Sequence, residues 1–163
     1  MDRRERRRGR GLGNAALHCD EWQQKGKDIL AAGVAVPGIS NSANGTVWAP
    51  NIPGWEAYPL LNELQQNSKG ISITIDNDRS CSLLGEIWKG NARQCNNVIF
   101  LAAGTGIGAG IMANGHIING AQGISGAIGS MALNNPFRDE YRSCGCFEHY
   151  ASGEGISKLA REL

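Results

Sequence analysis

The sequence predicts an α/β fold, in which strands and helices alternate along one chain. Apolar runs with β-branched residues occur at 29–36, 71–75 and 97–102, as expected of strands. Segments whose apolar residues recur at three- and four-residue spacing lie between and after these runs, as expected of helices. With 163 residues, 41% of them hydrophobic, the chain can bury one core or parts of two.

The first half of the chain follows this alternation. Glu21–Asp28 is predicted as a short helix and Ile29–Val36 as a buried strand. Residues 41–53 are dense in Asn, Gly and Pro and predict a loop. The segment Pro59–Asn67 then predicts a helix, and Ile71–Ile75 alternates as the next strand. The leucines expected to face the core from that helix are Leu60, Leu61 and Leu64.

The second half continues with a helix over Ser80–Lys89 and a strand over 97–102. A glycine-rich hairpin at 104–110 follows, then a second glycine-rich stretch at 120–130, and helical material from Phe147 onward. One face of the first of these helices is expected to carry the apolar residues Leu83, Leu84, Ile87 and Trp88.

The glycine-rich hairpin is the most informative part of the sequence. Glycines occupy every second position from Gly104 to Gly110, directly after an apolar strand, and Thr105 adds a hydroxyl. Where side chains are nearly absent, backbone N–H groups can approach a ligand closely, which suits phosphate oxygens. Asn114-Gly115 lies between two apolar runs and is a strong signal for a type I′ turn. The run is therefore expected to join two hydrogen-bonded strands.

Other glycine-rich loops fit the run less well. A P-loop needs Gly-Lys-Ser/Thr at its end, and the run contains no lysine. The dinucleotide pattern matches Gly104, Gly106 and Ala109, but it must open a helix and needs an acidic residue about 20 positions later. Residues near 125 are Ser-Gly-Ala, without a carboxylate. A structural hairpin without a ligand is the remaining alternative.

Asp78 lies at the end of a predicted strand and the start of a predicted helix, which is where α/β enzymes commonly have their active-site residues. A helix N-terminus favours the ionised carboxylate, which can accept the proton of a hydroxyl that attacks phosphorus. The alternative is that Asp78 only caps the helix. Asn77 beside it offers a donor and an acceptor for sugar hydroxyls.

Charge and hydropathy set limits on partners and location. Residues 1–10 hold six of the sixteen basic residues. Because this segment has no aromatic residues and no helical periodicity, residues 1–20 are expected to be a disordered or artefactual tail, and no nucleic-acid partner is expected. No apolar stretch approaches 18 residues and no signal peptide is evident, so no membrane partner is expected. Five cysteines, an odd number, favour a reducing cytoplasm.

Five ordered blocks make the sequence similar to the ROK family of bacterial sugar kinases and repressors. The resemblance runs from about Gly33 to the end of the chain. The blocks are Gly33–Gly38, Pro50–Trp55 followed by Pro59-Leu60, Asp76–Asp78 followed by Leu84–Trp88, Gly104–Gly108, and Gly145–Gly153.

The resemblance implies an actin-like (ribonuclease-H-like) fold, incomplete, with parts of two lobes: residues 21–93 from the first lobe and 94–163 from the second. It implies that Asp78 is the general base when a phosphoryl group is transferred from Mg-ATP to a hydroxyl of a hexose or amino-hexose. It also implies that the parent protein is a homo-oligomer. The sugar would be held by Asn77, Asp78 and Glu148, with Gly38 and Asn51 as weaker candidates. The ATP phosphates would lie near Gly104, Thr105, Gly106 and Gly108.

The sequence also departs from the family pattern. The first phosphate loop, Asp-x-Gly-Gly-Thr, is absent, so the chain resembles an inactive internal fragment. Ala127 and Ser130 stand where the family has a sugar-binding Glu and a His that binds sugar and zinc. Asp139 and Tyr141 take the places of two zinc cysteines, and of the four zinc ligands Cys146 alone remains. No zinc is therefore expected. A sugar-binding pseudokinase and a repressor remain alternatives.

Overall fold

The computed structural model describes residues 28–50, 52–68 and 70–162. The chain forms two compact units, divided between Asp78 and Arg79. The arginine-rich tail and all but the last residue of the helix predicted over Glu21–Asp28 lie outside the described residues. The division predicted at residues 93 and 94 concerns the lobes of a parent protein and stays a prediction.

The first unit contains a parallel strand pair, an antiparallel strand pair and one helix. Its elements are β1 (Ala31–Val36), β2 (Ile39–Asn41), β3 (Thr46–Trp48), α1 (Leu60–Asn67) and β4 (Ser72–Asn77). β1 and β4 are parallel, with Val36 opposite Asn77, so both strands end at the same edge. β2 and β3 are antiparallel. The carboxyl end of β4 leads directly into the next helix.

The core of the first unit lies between β3, α1 and the end of β1. Val36, Val47 and Tyr58 are buried there. Two of the three leucines predicted to face inward, Leu60 and Leu64, are buried, whereas Leu61 is half-buried. β1 was predicted to be buried, but along it exposed and half-buried residues alternate, and Val36 alone is fully buried. Among the described residues β1 has a single strand partner, β4, which leaves one of its edges uncovered.

The second unit is built around an antiparallel sheet in the order β5-β6-β7. Helix α2 precedes the sheet, and its first residue belongs to the first unit. Two 3₁₀ turns, Ile128–Ser130 and Asp139–Arg142, precede two C-terminal helices. The elements are α2 (Asp78–Lys89), β5 (Val98–Ala103), β6 (Ile107–Ala113), β7 (His116–Ile117), α3 (Cys146–Ala151) and α4 (Gly153–Glu162).

Helix α2 departs from the sequence prediction in two ways. It begins at Asp78, two residues earlier than predicted. Leu83 is fully buried, but Leu84 is 47% exposed and Trp88 is 74% exposed, so the prediction of one apolar face was wrong for these two. Consecutive residues on a helix differ by about 100°, so the stripe through Leu84 and Trp88 is rotated away from the stripe through Leu83 and Ile87.

The turn between β6 and β7 confirms the hairpin prediction. Asn114 and Gly115 have φ of 50° and 77°, the two positive values that a type I′ turn requires. The Asn114 N–H also donates to Oδ1 of Asn97 at 3.0 Å, which ties the turn to the start of β5. In the part of the chain that the structure describes, no helix is both long enough and apolar enough to span a membrane.

Candidate active site

The carboxyl end of β4 holds a fixed polar pair. The backbone N–H and the side-chain Nδ2 of Asn77 donate to Oδ1 of Asp76 at 2.7 and 3.2 Å. The hydroxyl of Ser40 on β2 donates to the same oxygen at 3.4 Å. Asn77 is 8% exposed, so Asp76 orients a buried amide. The sequence analysis did not single out Asp76, although its place in the Asp-Asn-Asp triplet was visible.

Asp78 is exposed and is the first residue of α2. Backbone N–H groups at the first turn of a helix have no partner within the helix, so this end of α2 can receive a polar substrate group. An exposed carboxylate at a strand-to-helix junction can accept a proton from a hydroxyl brought to it by a substrate. The structure therefore gives Asp78 the exposure and helix position that a general base needs.

Gly38 and Asn51, the two weaker candidates for sugar binding, differ in what the structure shows of them. Gly38 has a φ of +81°, and a Cβ on it would lie 2.2 Å from the carbonyl oxygen of Trp48. Packing against β3 therefore accounts for this glycine without any ligand. Asn51 lies outside the described residues.

The glycine-rich run forms the turn and second strand of a hairpin. β5 and β6 pair from Ala103 and Ile107 outward, and Gly104 N–H donates to the Gly106 carbonyl at 2.9 Å across the turn. The chain after Gly106 is strand and not helix. The predicted hairpin is thus confirmed, and the dinucleotide pattern is excluded because it requires a helix at this point.

The alternating glycines of the hairpin, of which Gly108 and Gly110 lie in β6, leave a face without side chains next to neighbouring groups. A Cβ on Gly106 would lie 2.9 Å from Glu148 Oε2, and one on Gly108 would lie 2.6 Å from Arg79 Cδ. A Cβ on Gly110 would lie 2.6 Å from the Arg79 carbonyl oxygen. Gly104 alone of the four has no such neighbour within 4 Å. Three of the four glycines thus have a packing role that the sequence analysis did not anticipate.

Glu148 joins helix α3 to the hairpin. Its Oε2 accepts a hydrogen bond from the Ile107 N–H at 2.7 Å, across 41 residues of sequence. Glu148 is half-buried, and the bond commits one carboxylate oxygen to the backbone. Of the predicted site residues, the structure brings together Glu148 and the glycine hairpin within the second unit.

Helix α4 begins against the tip of the hairpin. Gly153 N–H donates to the Gly104 carbonyl at 2.7 Å, and the Ser152 hydroxyl caps the helix by accepting from Gly155 N–H at 3.0 Å. The tip of the hairpin is therefore held by α3 through Ile107 and by α4 through Gly104. Ser152 was not predicted as a site residue, although Ser is a favoured N-cap.

A cavity of about 430 Å³ opens beside Glu148. Its volume falls within the range of small-molecule sites, and its wall is partly polar, with hydroxyls, thiols, a guanidinium and a carboxylate. The lining residues are Ser130, Ala132, Phe137, Tyr141, Arg142, Ser143, Cys144, Gly145, Cys146 and Glu148.

Comparison with known proteins decides the family of this site. The sequence profile described as "ROK family" matches residues 12–162. The chain belongs to the ROK family. The match begins 21 residues before Gly33, the start of the resemblance noted from the sequence, and its first part lies outside the described residues.

The ROK relatives include kinases and repressors. The chain is 36% identical to the glucokinase of Halalkalibacterium halodurans, over 83% of this chain and 41% of that protein. It is also 36% identical to the xylose repressor of Caldicellulosiruptor bescii, over 86% of this chain and 35% of that protein. The chain thus spans less than half the length of each of these two relatives.

The solved structures show the same fold. The ROK glucokinase of Streptomyces griseus, solved with glucose and AMPPNP, superposes with a TM-score of 0.69 at 27% identity. The match covers 85% of this chain and 44% of the other. The fold is that of the actin-like ATPases, and this chain makes up part of it.

The zinc site of the ROK family does not fit this chain. Zinc in proteins takes four ligands, or three and a water molecule. Cys146 is buried, and its Sγ accepts a hydrogen bond from Leu133 N–H at 3.4 Å. Asp139 pairs with Arg142 at 2.9 Å, and the Tyr141 hydroxyl bonds to the Tyr150 hydroxyl at 2.6 Å. Within residues 28–50, 52–68 and 70–162, no three His, Cys, Asp or Glu side chains group as metal ligands.

Proposed function

We propose that this chain is part of an ATP-dependent sugar kinase of the ROK glucokinase type. The observation that carries the proposal is Asp78, an exposed carboxylate at the first position of α2, directly after β4. A carboxylate at this point can accept a hydrogen bond from a sugar hydroxyl, and phosphoryl transfer to that hydroxyl needs such a group as its base. The glucokinase relatives support this choice.

In the proposed reaction, Asp78 accepts the proton of a sugar hydroxyl while that oxygen attacks the γ-phosphorus of Mg-ATP. The bond between the γ-phosphorus and the bridging oxygen breaks, and ADP leaves with that oxygen. Magnesium enters with the nucleotide as part of the substrate. Since such transfers depend mostly on positioning and charge stabilisation, the remaining residues serve to hold the two substrates.

The proposed sugar site uses Asn77 and Glu148 together with Asp78. Asp76 fixes the Asn77 amide, and Ile107 N–H fixes one oxygen of Glu148. The other Glu148 oxygen remains to accept a hydrogen bond from a sugar hydroxyl, and hydrogen bonds to carboxylates are strong. Gly38 and Asn51 are kept as weaker candidates of the same site.

The proposed phosphate contacts are at the tip of the hairpin. Gly104 and Thr105 are the first choice, because the space where a Gly104 Cβ would lie is open and Thr105 is exposed. The Gly104 N–H itself is bonded to the Gly106 carbonyl, so the Thr105 hydroxyl is the proposed donor. Gly106 and Gly108 remain proposed members, although both also pack against side chains. We place the reaction in the cytoplasm, where ATP is available.

The second candidate function is sugar binding without catalysis, either in a pseudokinase or in a repressor. It is favoured by Ala127 and Ser130, both exposed, which flank or lie in the 3₁₀ turn Ile128–Ser130. Neither side chain can replace the charge of the Glu and His that the family places there. The similarity to the xylose repressor supports the same alternative.

Asp78→Asn in the full natural protein that contains this chain separates the two functions. The change keeps the shape of the side chain and removes the base, so kcat for ATP-dependent sugar phosphorylation should fall about 10²- to 10⁴-fold. Sugar affinity, measured by calorimetry, should change much less. Glucose, mannose, fructose and N-acetylhexosamines are the substrates to compare.

Asp139→Asn is the matched control, because Asp139 is an exposed carboxylate paired with Arg142 and has no proposed role in catalysis. Near-normal turnover in Asp78→Asn would remove the base from the mechanism. Sugar binding without any turnover in the natural protein would favour the second candidate.

A further inference from the structure

The segment between the first 3₁₀ turn and α3 closes on itself through four hydrogen bonds. Phe147 N–H donates to the Met131 carbonyl at 3.1 Å, and Gly145 N–H donates to the Tyr141 carbonyl at 2.7 Å. Leu133 N–H donates to Cys146 Sγ at 3.4 Å. The fourth bond joins the hydroxyls of Tyr141 and Tyr150 at 2.6 Å. The last two are made by side chains and fix how α3 is seated.

Tyr141 is the centre of an aromatic cluster, defined here as Phe137, Tyr141, His149 and Tyr150. Its ring contacts the other three edge-on, with centroids 5.7, 5.3 and 5.8 Å away. Edge-to-face contacts of this kind stabilise beyond the area that they bury. Tyr141 is 3% exposed, and its buried hydroxyl has a partner in Tyr150, as a buried hydroxyl requires.

The position of this cluster links it to Glu148. His149 and Tyr150 are the two residues that follow Glu148 on α3, and Cys146 precedes it by two. A contact that fixes the ring of Tyr150 and the ring of His149 also fixes the rotation of α3. That rotation decides whether Glu148 Oε2 reaches the Ile107 N–H.

We propose that the Tyr141–Tyr150 hydroxyl pair and its aromatic cluster have the structural role that the zinc site has in the family, closing the segment and orienting Glu148 without a metal. The chemistry of the residues supports this reading. The two positions where the family has zinc cysteines hold an exposed ion-paired aspartate and a buried tyrosine, neither of which suits a structural zinc site. Tyr141 and Tyr150 are thus positioning residues for Glu148.

The experiment uses the natural protein that contains these 163 residues, purified in reduced form from zinc-supplemented medium. We expect less than about 0.1 zinc per chain, and a near-ultraviolet tyrosine dichroism signal that EDTA leaves unchanged. Tyr141→Phe, which keeps the ring and removes the hydroxyl, should lower the hydrogen-exchange protection of the Ile107 amide about two- to tenfold. Tyr150→Phe should have a similar effect, and the double variant no more than either single one, because all three remove the same bond.

Tyr58→Phe is the matched control, since Tyr58 is a buried tyrosine whose hydroxyl bonds Glu63 in the first unit. It should leave the Ile107 amide unaffected. A chain that needs added zinc for its near-ultraviolet signal, or that lacks the signal with and without zinc, overturns the proposal. Unchanged Ile107 protection in both cluster variants overturns it as well. If Tyr141→Phe does not fold, Tyr150→Phe and the EDTA comparison decide. None of these readouts depends on kinase activity, so the proposed function is tested separately.

Discussion

At the scale of single residues, Tyr141 stands where the family has a zinc cysteine, and it makes different contacts there. Its hydrogen bond with Tyr150 and its burial raise the pKa of Tyr141 to about 12, while the positive charge of Arg138 acts in the opposite direction. The neutral phenol is thus the form that the folded chain prefers.

A raised pKa predicts how the cluster depends on pH. The stability that it contributes is fully present below the ordinary tyrosine pKa of about 10 and is lost as pH rises through about 12. In a spectrophotometric titration at 295 nm, one tyrosine should ionise well after the others. Tyr150→Phe should bring that late transition back toward pH 10. A late transition that persists in Tyr150→Phe would assign the shift to another cause.

The sequence was informative about individual residues where the chemistry is local. Asn114-Gly115 was predicted as a turn because its two positive φ values depend only on neighbours in sequence. The roles of Asp76 and Tyr141 were missed, since they depend on Ser40 and Tyr150, partners at 36 and nine residues' separation. Pairing at such distances leaves no periodic signal in the chain.

At the scale of elements, the packing of α2 against β6 accounts for much of the glycine pattern. The backbone of Arg79 and the side chain of Leu83 lie close to Gly110. The sequence analysis predicted both elements, but it interpreted the glycines only as room for a ligand. Which face of a strand meets a helix cannot be deduced from the strand alone, so this second role required the structure.

Gly110→Ala tests this packing. Its Cβ would lie 2.6 Å from the Arg79 carbonyl oxygen and 2.9 Å from Leu83 Cβ, so backbone must move and the free energy of unfolding should fall by about 1–3 kcal/mol. Denaturant titration measures the change.

Gly85→Ala on helix α2 is the matched control, because no atom lies within 4 Å of its added Cβ. It should stabilise the chain by about 0.5–1 kcal/mol, since alanine is the better helix former. Equal stability changes for the two substitutions would argue against close packing of α2 on β6.

At the scale of the whole molecule, the chain holds some of the parts that a ROK kinase needs. It spans 41% of the curated glucokinase that it matches. The hairpin, Glu148 and the Asp78 junction are present, but the family's first phosphate loop is not in the sequence. The α/β class and the family could be recognised from five short blocks, whereas the seating of α3 could not, because it depends on an aromatic cluster that replaces the family's zinc ligands.

We expect the isolated 163 residues to show no sugar kinase turnover. Positioning two reactants can lower the free-energy barrier of their reaction by about 7–11 kcal/mol. A phosphate site that has one of its two loops would lose much of this effect. ATP would also remain in contact with water, which weakens each electrostatic contact. A coupled assay for ADP formation with glucose measures this. Turnover by the isolated chain would show that the hairpin is not half of a larger phosphate site.

The alternating glycines of the hairpin have a consequence for how such genes are recognised. A Cβ on Gly110 would meet the backbone of Arg79, whereas a Cβ on Gly106 or Gly108 would meet the side chain of Glu148 or Arg79. Selection for folding alone would therefore preserve at least Gly110 after catalysis had been lost. A decayed or repurposed paralogue would then still display part of the Gly-x-Gly-x-Gly signature. Activity in related open reading frames is better judged from Asp78 and from the positions of Ala127 and Ser130, because all three residues are exposed.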